Sequence, residues 1–504
     1  MLEIVNNFSA YDIPLDAIWS DIDYMNKYQD FTLNENFTRT DFDTIFNKSL
    51  HWVPIIDIGI YKDNDSSSAY QKGNHSDIFI KSFLTEAPLL ACVWPGLVSY
   101  PDFNHPNASK FWGDQLDSLH QKVPFSGIWL DMNEPSNLVE GGEILNESYN
   151  CVIEINPVPN LNRLLLEVPR TILPKIDVMN LIENPTRPST DNLYIDSRNL
   201  PYIPGKIPLE NKTISMNATH YYQGVYIQSP EVITEIDFHT LNGFLEGRAT
   251  YDYLKGNLSK GLPFILSRSN MFGSGAFSFH WTGDNYADWA NLKTSISEIF
   301  NYQLFGIPFT GVDLCGFGGN TTEELCTRFM QAGSLYPFSR NHNSIEAISQ
   351  EPYVWGANST VLKATRNSLK MRYSILKWYY SVFVRNNGTG TIFKPLFFEF
   401  PEDSFLYELD DQFIIGSELL VAPVLEANRT TNDVYFTNNT GWFDFFNGSL
   451  YYEYDQEFVE VNAPLDSTPP TFIKSGTIIY MQNTTNVKKV SDFSNKFKLK
   501  IALD

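Results

Sequence analysis

The chain has 504 residues, which is enough for about three domains or for one large barrel with appendages. Its formal charge of −23 disfavours phosphate backbones and anionic membrane surfaces, so nucleic acid is not expected as a partner. Hydrophobic residues make up 43% of the chain and charged residues only 19%, a balance that excludes a disordered protein. No apolar stretch reaches the roughly 20 residues needed to span a bilayer, so no transmembrane segment is expected.

The beginning of the chain and its glycosylation motifs point to different compartments. The first residues lack the basic and apolar regions of a signal peptide. Asn-X-Ser/Thr sequons, the acceptors of N-glycans in the secretory pathway, are nevertheless more frequent than chance explains. They begin at Asn7, Asn36, Asn47, Asn64, Asn74, Asn107, Asn146, Asn211, Asn217, Asn257, Asn320, Asn358, Asn387, Asn428, Asn438, Asn447 and Asn483. We therefore expect an N-glycosylated lysosomal or secreted protein whose ancestral architecture is longer than this chain.

Short apolar runs that end in a polar or charged residue predict the strands of the first part of the chain. They are Ala17–Asp21, Val53–Asp57, Gly127–Asp131, Phe264–Arg268, Phe277–His280, Phe309–Asp313 and Thr391–Phe400. Buried strands with polar groups at their C-terminal ends are typical of a (β/α)8 barrel, whose active site forms where strands lead into loops. We predict an α/β fold with a TIM barrel over residues 1–401, one strand of which is not found.

Helical periodicity is clearest between the later strands. One helix is indicated by apolar residues at helical intervals before a stop at Gly306, namely Trp289, Leu292, Ile296, Ile299 and Leu304. A second runs from Leu369 to Phe383. The gap from Arg268 to Phe277 is too short for a crossover helix, and pattern alone does not explain it.

Two stretches depart from the barrel pattern. Residues 138–236 are rich in Asn and Pro without sustained periodicity, which indicates an insertion. After Pro401, aromatic and β-prone runs predict a β-sandwich over residues 402–504. These runs are Phe413–Val424, Asp433–Phe436, Trp442–Phe446, Tyr451–Val461 and Thr471–Tyr480.

Two carboxylates stand at predicted strand ends. Asp131 closes one strand and is followed by a loop of hydrogen-bonding side chains, and Asp284 follows Trp281 and Gly283. A nucleophile and an acid of raised pKa are the equipment of glycoside hydrolysis. By residue type alone, each aspartate is more often a helix cap or a turn residue than a catalytic group, and their separation of 153 positions does not show that they meet.

Aromatic and basic residues near the same strand ends have two possible roles. Trp19, Trp94, Trp129 and Trp281 could stack on the apolar faces of sugar rings or pack in the core. Arg268 could bind a hydroxyl pair or a carboxylate, or it could form a structural ion pair. The histidines show no metal-ligand spacing, so we expect neither a metal nor a cofactor.

The cysteines are few. Cys315 and Cys326 are close enough in sequence to close a local loop, or they are two free thiols. Between them, Thr321–Glu324 reads as a capping box that opens a helix.

Taken together, these blocks resemble the family 31 glycoside hydrolases, and within them the lysosomal and intestinal α-glucosidase group. The matching motifs are Ile13–Met25, Asp30–Thr32, Val93–Leu97, Trp129–Asn137, Ser267–Ser269, His280–Asp284, Asp313–Phe317 and Arg340–Asn343. The resemblance implies a nucleophile at Asp131 and an acid/base at Asp284. It implies a glucose pocket made by Asp21, Ile22, Ile55, Trp94, Trp129, Met132, Arg268, Trp281, Asp313, Phe317 and His342.

The same resemblance implies an α-glucoside oligosaccharide as substrate and accounts for the departures from a simple barrel. It implies insertions at about 58–97 and 138–236, a C-terminal β-sandwich, and a disulfide from Cys315 to Cys326. The family's first barrel strand and distal C-terminal domain are missing here, so the chain resembles the middle of a longer protein. Cys151 lacks the partner that a second family disulfide needs.

Overall fold

The structure, a computed structural model, describes most of the chain as two compact units. The described residues are 1–66, 68–139, 142–145, 149–151, 213–229, 232–258, 261–385, 388, 390–437, 440–451 and 458–504. The first unit contains residues 1–57, 112–133 and 243–504. The second contains residues 58–111 and the described part of 134–242.

The strands are numbered in chain order over the described residues. They are β1 (Ala17–Ser20), β2 (His51–Asp57), β3 (Ile60–Tyr61), β4 (Ala91–Val93), β5 (Gly96–Ser99), β6 (Ile128–Asp131), β7 (Thr219–His220), β8 (Ile233–Thr234), β9 (Ile265–Ser267), β10 (Phe279–Trp281), β11 (Thr310–Gly311), β12 (Asp313–Leu314), β13 (Arg340–Asn341), β14 (Phe393–Lys394), β15 (Phe413–Ile415), β16 (Leu419–Val421), β17 (Thr431–Tyr435), β18 (Trp442–Asp444), β19 (Leu450–Tyr451), β20 (Phe458–Asn462), β21 (Thr471–Lys474), β22 (Thr477–Gln482) and β23 (Phe497–Ala502).

The α-helices are numbered in the same way. They are α1 (Leu2–Ala10), α2 (Arg39–Asn47), α3 (Ala69–His75), α4 (Ala108–Lys122), α5 (Glu235–Phe238), α6 (Asn242–Asn257), α7 (Trp289–Leu304), α8 (Glu323–Gly333) and α9 (Thr360–Arg385). None of the helices in the described residues is long and apolar enough to cross a membrane.

The barrel of the first unit is built on a parallel sheet with the strand order β1-β2-β6-β9-β10-β11. After Val312 the chain continues as β12, which pairs in parallel with β13. Six of the predicted barrel strands are therefore confirmed. The prediction for Thr391–Phe400 is wrong, because β14 pairs antiparallel with β15 in the C-terminal sheet. The seventh barrel strand is β13, whose two residues, Arg340 and Asn341, carry no apolar signal.

The predicted helices form where their apolar spacing places them. Helix α7 runs from Trp289 to Leu304, and Leu292, Ile296 and Ile299 along it are fully buried. Helix α9 extends the predicted Leu369–Phe383 run in both directions. Helix α8 begins one residue later than the predicted capping box, because its cap is Thr322, whose hydroxyl accepts from the amide of Leu325.

The loop from β9 to β10 contains no α-helix. Its only helical segment is a short 3-10 turn at Ser274–Ala276, and the two strands still pair in parallel. The short Arg268–Phe277 gap in the sequence therefore reflects a barrel connection made by a loop.

The second unit contains the described parts of both predicted insertions. One sheet has the strand order β3-β5-β4, a second pairs β7 with β8, and a disulfide joins Cys92 to Cys151. The expectation that Cys151 has no partner is wrong, because Cys92 is its partner. The two cysteines lie 59 positions apart and no sequence pattern links them, so the pairing could not be predicted. Residues 152–212 of the predicted 138–236 insertion lie outside the described residues.

The C-terminal part of the first unit is a β-sandwich, as predicted. A six-stranded antiparallel sheet has the order β14-β15-β16-β21-β18-β19, and β17 pairs with β20. Apolar residues of both sheets share one buried core that includes Leu420, Val434, Trp442 and Phe472. Burial of one such side chain contributes about 1.5–3 kcal/mol, so this core fixes the second layer on the first.

Candidate active site

The C-terminal ends of the barrel strands gather nearly all of the predicted site residues. Asp21, Asp131, Arg268 and His342 lie at the ends of β1, β6, β9 and β13, respectively. Ile55 and Trp129 are in-register neighbours on β2 and β6. Met132, Trp281, Asp284, Asp313, Ile22 and Phe317 complete this group within the first unit. Trp94 belongs to the second unit.

Asp131 is held by its own loop and by one cation. Its Oδ1 accepts from the Met132 amide at 2.8 Å and lies 2.8 Å from Nη1 of Arg268. Met132 has a φ of 55°, a left-handed conformation that is strained for a residue with a side chain. Arg268 also places Nη2 at 3.2 Å from the Met132 sulfur. This arrangement fixes the carboxylate at the mouth of the barrel with a guanidinium beside it.

The loop after Asp131 is anchored by a buried asparagine. Nδ2 of Asn133 donates to Glu246 on α6 at 2.8 Å and to Ser267 on β9 at 2.9 Å. Its Oδ1 accepts from the Ser269 amide at 2.8 Å. Asn133 therefore ties the loops that carry Asp131 and Arg268 to each other.

Asp284 occupies an exposed position after Gly283, which has a φ of 77°. The atoms around its carboxyl desolvate it and raise its pKa, and the charge of Asp313 adds to this effect. Arg268 acts in the opposite direction but is outweighed. A carboxyl with a raised pKa retains its proton to higher pH, as a general acid must.

Asp21 and His342 face each other across the rim. Nε2 of His342 lies 3.4 Å from Oδ2 of Asp21, an ion-pair distance without hydrogen-bond geometry. Burial is the largest single effect on the pKa of Asp21 and raises it, but His342, the Ile22 amide and Arg340 together lower it. Asp21 is therefore held as a carboxylate.

Aromatic rings pack against one another around the same residues. The ring centroids of Trp129 and Trp281 are 5.4 Å apart, and His342 lies 5.3 Å from Trp129 and 5.2 Å from Phe317. These rings give the strand ends an apolar floor with a small number of polar groups, which is the usual composition of a ligand site.

Arg340 belongs to the Arg340–Asn343 motif but was not among the predicted site residues. Its Nε and Nη2 donate to Oδ1 of Asp313 at 3.0 and 2.6 Å, and its guanidinium lies 4.3 Å from the Trp129 ring centroid. Trp19 and Trp281 also face this cation. Oδ2 of Asp313 is buried without a hydrogen-bond partner in the described part of the chain. Arg340 thus satisfies one Asp313 oxygen and leaves the other without a hydrogen bond within the described residues.

Two further features concern the rim and its chemistry. Cys315 and Cys326 form a disulfide, which confirms the implied pairing and fixes the loop after β12 to α8. No group of three or more His, Cys, Asp or Glu side chains in the described residues is arranged to hold a metal ion.

Family models match the chain over nearly all of its length. The glycosyl hydrolases family 31 TIM-barrel domain matches residues 1–382, and the glycosyl hydrolase family 31 C-terminal domain matches residues 389–479. A lysosomal acid alpha-glucosidase of Tetrahymena pyriformis is 38% identical over 100% of this chain and 54% of its own length. An alpha-glucosidase of Schizosaccharomyces pombe is 35% identical over 100% of the chain and 55% of its own length.

Solved structures agree with this assignment at the level of the fold. A glucosidase II alpha subunit bound to alpha3-Glc2 covers 100% of this chain and 46% of its own, with a TM-score of 0.76 and 24% identity. The chain spans about half the length of the curated relatives it matches. With its barrel strands, its rim motifs and both domain models in place, the chain belongs to glycosyl hydrolase family 31.

Proposed function

We propose that the chain carries the catalytic site of a retaining α-glucosidase. It releases glucose from the non-reducing end of α-1,4-linked, maltose-type oligosaccharides. The observation that supports this best is the contrast between two rim carboxyls: Asp131 is paired with Arg268, while the pKa of Asp284 is raised. Pairs of carboxyls with opposed environments are the mark of acid and nucleophile assignments. The names of the Tetrahymena and fission-yeast relatives favour an α-glucoside substrate.

In this proposal the two aspartates have different roles in a double-displacement reaction. An Asp131 oxygen attacks the anomeric carbon while Asp284 protonates the departing glycosidic oxygen. This step leaves a covalent β-glucosyl ester on Asp131 and an ionised Asp284. Asp284 then takes a proton from water, which attacks the anomeric carbon, releases α-glucose and restores the Asp131 carboxylate.

The remaining rim residues bind and orient the glucose. Asp21 and the unpartnered oxygen of Asp313 accept hydrogen bonds from sugar hydroxyls. The His342 ring and Arg268 donate hydrogen bonds to hydroxyl oxygens of the sugar. Ile22, Ile55, Trp129, Met132, Trp281 and Phe317 provide the apolar surface. For Trp94, in the second unit, the proposal rests on the Val93–Leu97 motif alone.

We further propose that the protein is N-glycosylated and lysosomal or secreted. Most sequon asparagines in the described residues are exposed, whereas Asn217 is 4% exposed and is not expected to carry a glycan. The sequons at Asn146, Asn211, Asn387 and Asn438 lie outside the described residues. Two disulfides are typical of an oxidising compartment.

A second candidate is a homologue that binds carbohydrate without hydrolysing it. The observation that favours it is the sheet edge at β1, which pairs with β2 and with no other strand of the described residues. An unpaired edge loosens the rim that carries Asp21. This candidate predicts binding of an α-glucoside without release of glucose.

Hydrolysis of maltose, followed by NMR, separates these candidates. We expect α-glucose to appear first and to be lost in Asp131→Asn, while the exposed Asp252→Asn on α6 serves as the matched control with unchanged turnover. Initial β-glucose, or unchanged turnover in Asp131→Asn, would refute retaining catalysis on Asp131. Binding without any product would support the second candidate.

A further inference from the structure

Two buried aspartates lie behind Asp131. Asp30 follows β1 and is 7% exposed, and Asp57 ends β2 and is 1% exposed. The Asp57 amide donates to Oδ1 of Asp30 at 2.8 Å. Oδ2 of Asp30 and Oδ1 of Asp57 have no hydrogen-bond partner among the residues that the structure describes. Together they form a carboxyl pair, Asp30–Asp57, that the function proposed above does not use.

Strand register places this pair next to the nucleophile. Asp57 and Asp131 are in-register partners on the parallel strands β2 and β6. Neighbouring strands lie about 4.8 Å apart, and the side chains of paired residues project from the same face of a sheet. A charge on Asp57 would therefore act on Asp131 and on the guanidinium of Arg268 beside it.

The two guanidinium groups and the histidine of the rim already have partners. They are Arg268 with Asp131, Arg340 with Asp313, and His342 with Asp21. In the described parts of the chain, Asp30 and Asp57 have no ion-pair partner of their own. Burial of two ionised carboxylates without a counter-ion carries a large desolvation penalty, so the pair retains a proton instead.

Hydrogen bonding decides which of the two carboxyls is neutral. Asp30 accepts from backbone amides, which stabilise its charged form, whereas Oδ1 of Asp57 has no hydrogen-bond donor among the described residues. Burial raises the pKa of both groups, and for Asp57 the charge of Asp30 raises it further. The other charged or titratable groups that face the pair are Asp21, Tyr24, Asp131 and Arg268, of which only Arg268 opposes the effect on Asp57. The proton therefore resides on Asp57.

We propose, on the basis of the function proposed above, that Asp57 is a positioning residue for Asp131. As a neutral carboxylic acid it leaves Arg268 to the nucleophile. When Asp57 loses its proton to solvent, its carboxylate competes for Arg268 and repels Asp131. The Asp30–Asp57 pair thus favours the ion pair between Asp131 and Arg268 at acidic pH and weakens it as pH rises.

Two isosteric variants test the role by shifting the pH profile in opposite directions. Asp57→Asn is permanently neutral, so we expect kcat to stay within an order of magnitude of wild type and the alkaline limb of kcat/KM to move to higher pH. In Asp30→Asn, Asp57 loses its charged neighbour and its pKa falls, so the limb moves to lower pH. Asp252→Asn is the matched control. A loss of kcat of about 100-fold or more in Asp57→Asn, the size expected for a catalytic acid or base, would overturn the proposal. So would shifts in the same direction.

A stability measurement tests the proton without relying on activity. A carboxyl whose pKa is raised by folding costs no stability below its unfolded-state pKa, and the destabilisation then grows with pH until the folded-state pKa is passed. The thermal unfolding midpoint of the wild type should therefore fall relative to that of Asp57→Asn as pH rises above about 4. If the thermal midpoints of the wild type and Asp57→Asn changed in parallel with pH, the proposal would be overturned. Diverging curves from a protein that hydrolyses no glucoside would support the retained proton and refute the proposed function together with the positioning role.

Discussion

At the scale of single residues, the two proposed catalytic aspartates differ in what surrounds them. The pKa of Asp284 is raised by desolvation, so its proton is present at acidic pH and is lost as pH rises through that pKa. We expect Asp284→Asn to lower kcat/KM on maltose by about 10²–10⁴-fold. An aryl glucoside with an acidic leaving group needs no proton to form the glucosyl ester, so its kcat/KM should fall far less. Equal losses on both substrates would remove Asp284 as the acid.

Arg340 makes a second prediction at this scale. It donates two hydrogen bonds to one Asp313 oxygen while stacking on indole rings, a geometry that lysine cannot reproduce. We expect Arg340→Lys to lower kcat/KM by at least tenfold, since a hydrogen bond to a charged group contributes about 1.5–3 kcal/mol. Arg385→Lys, in an exposed ion pair with Glu418, is the matched control and should leave kcat/KM unchanged. A tolerated Arg340→Lys would contradict the role assigned to this contact.

At the scale of elements, the second unit contains a buried ion network. Nδ1 of His220 lies 3.2 Å from Asp102 and its Nε2 lies 2.7 Å from Glu235, which also accepts from His239. Burial opposes the charge on His220 most strongly, but the two carboxylates outweigh it and raise its pKa to about 9. His220 is therefore charged at neutral pH and connects the segments before α4 and after β7.

The sign of this shift gives the pH dependence of the unit. Because the folded-state pKa lies above the unfolded value, the stabilisation is complete below about pH 6.5 and is lost as pH rises through about 9. We expect the thermal midpoint to fall above neutral pH in the wild type, and His220→Gln to lower stability at acidic pH by about 3–5 kcal/mol. The exposed His51→Gln should change neither. A pH-independent wild type would count against the network.

The extent to which sequence predicted these elements follows from the length of each pattern. Helix α7 was predictable over its whole span because its apolar residues repeat over several turns. Strand β13 was not, because a two-residue strand with the sequence Arg-Asn has no hydrophobic alternation. The Cys92–Cys151 disulfide and the role of Arg340 depend on contacts between distant segments, which spacing along one chain does not contain.

At the scale of the whole molecule, the barrel and the C-terminal sandwich share a core. Trp378 and Val382 on α9 belong to one buried cluster with Phe413, Val421 and Ile473 of the sandwich. Buried Arg328 on α8 also donates to the Ala463 carbonyl at 3.0 Å. These contacts lie within the first unit, so the two layers are expected to fold as one cooperative body.

Truncation tests this cooperativity. A chain that ends at residue 401 exposes the apolar side of α9, and we expect it to be insoluble or to lack a cooperative thermal transition. Calorimetry and proteolysis would check the outcome against the full chain. A soluble fragment with a sharp transition and intact maltose turnover would show that the barrel stands without the sandwich.

The indole rings that surround Arg340 also allow the pocket to be monitored by tryptophan fluorescence. Trp19, Trp129 and Trp281 all lie within 5.4 Å of the guanidinium, so their emission responds to the charges of the rim. A sugar that engages Asp313 changes the field that these rings experience. The site therefore contains its own optical reporter, and occupancy can be followed in unlabelled protein by intrinsic fluorescence, even in variants that no longer turn over substrate.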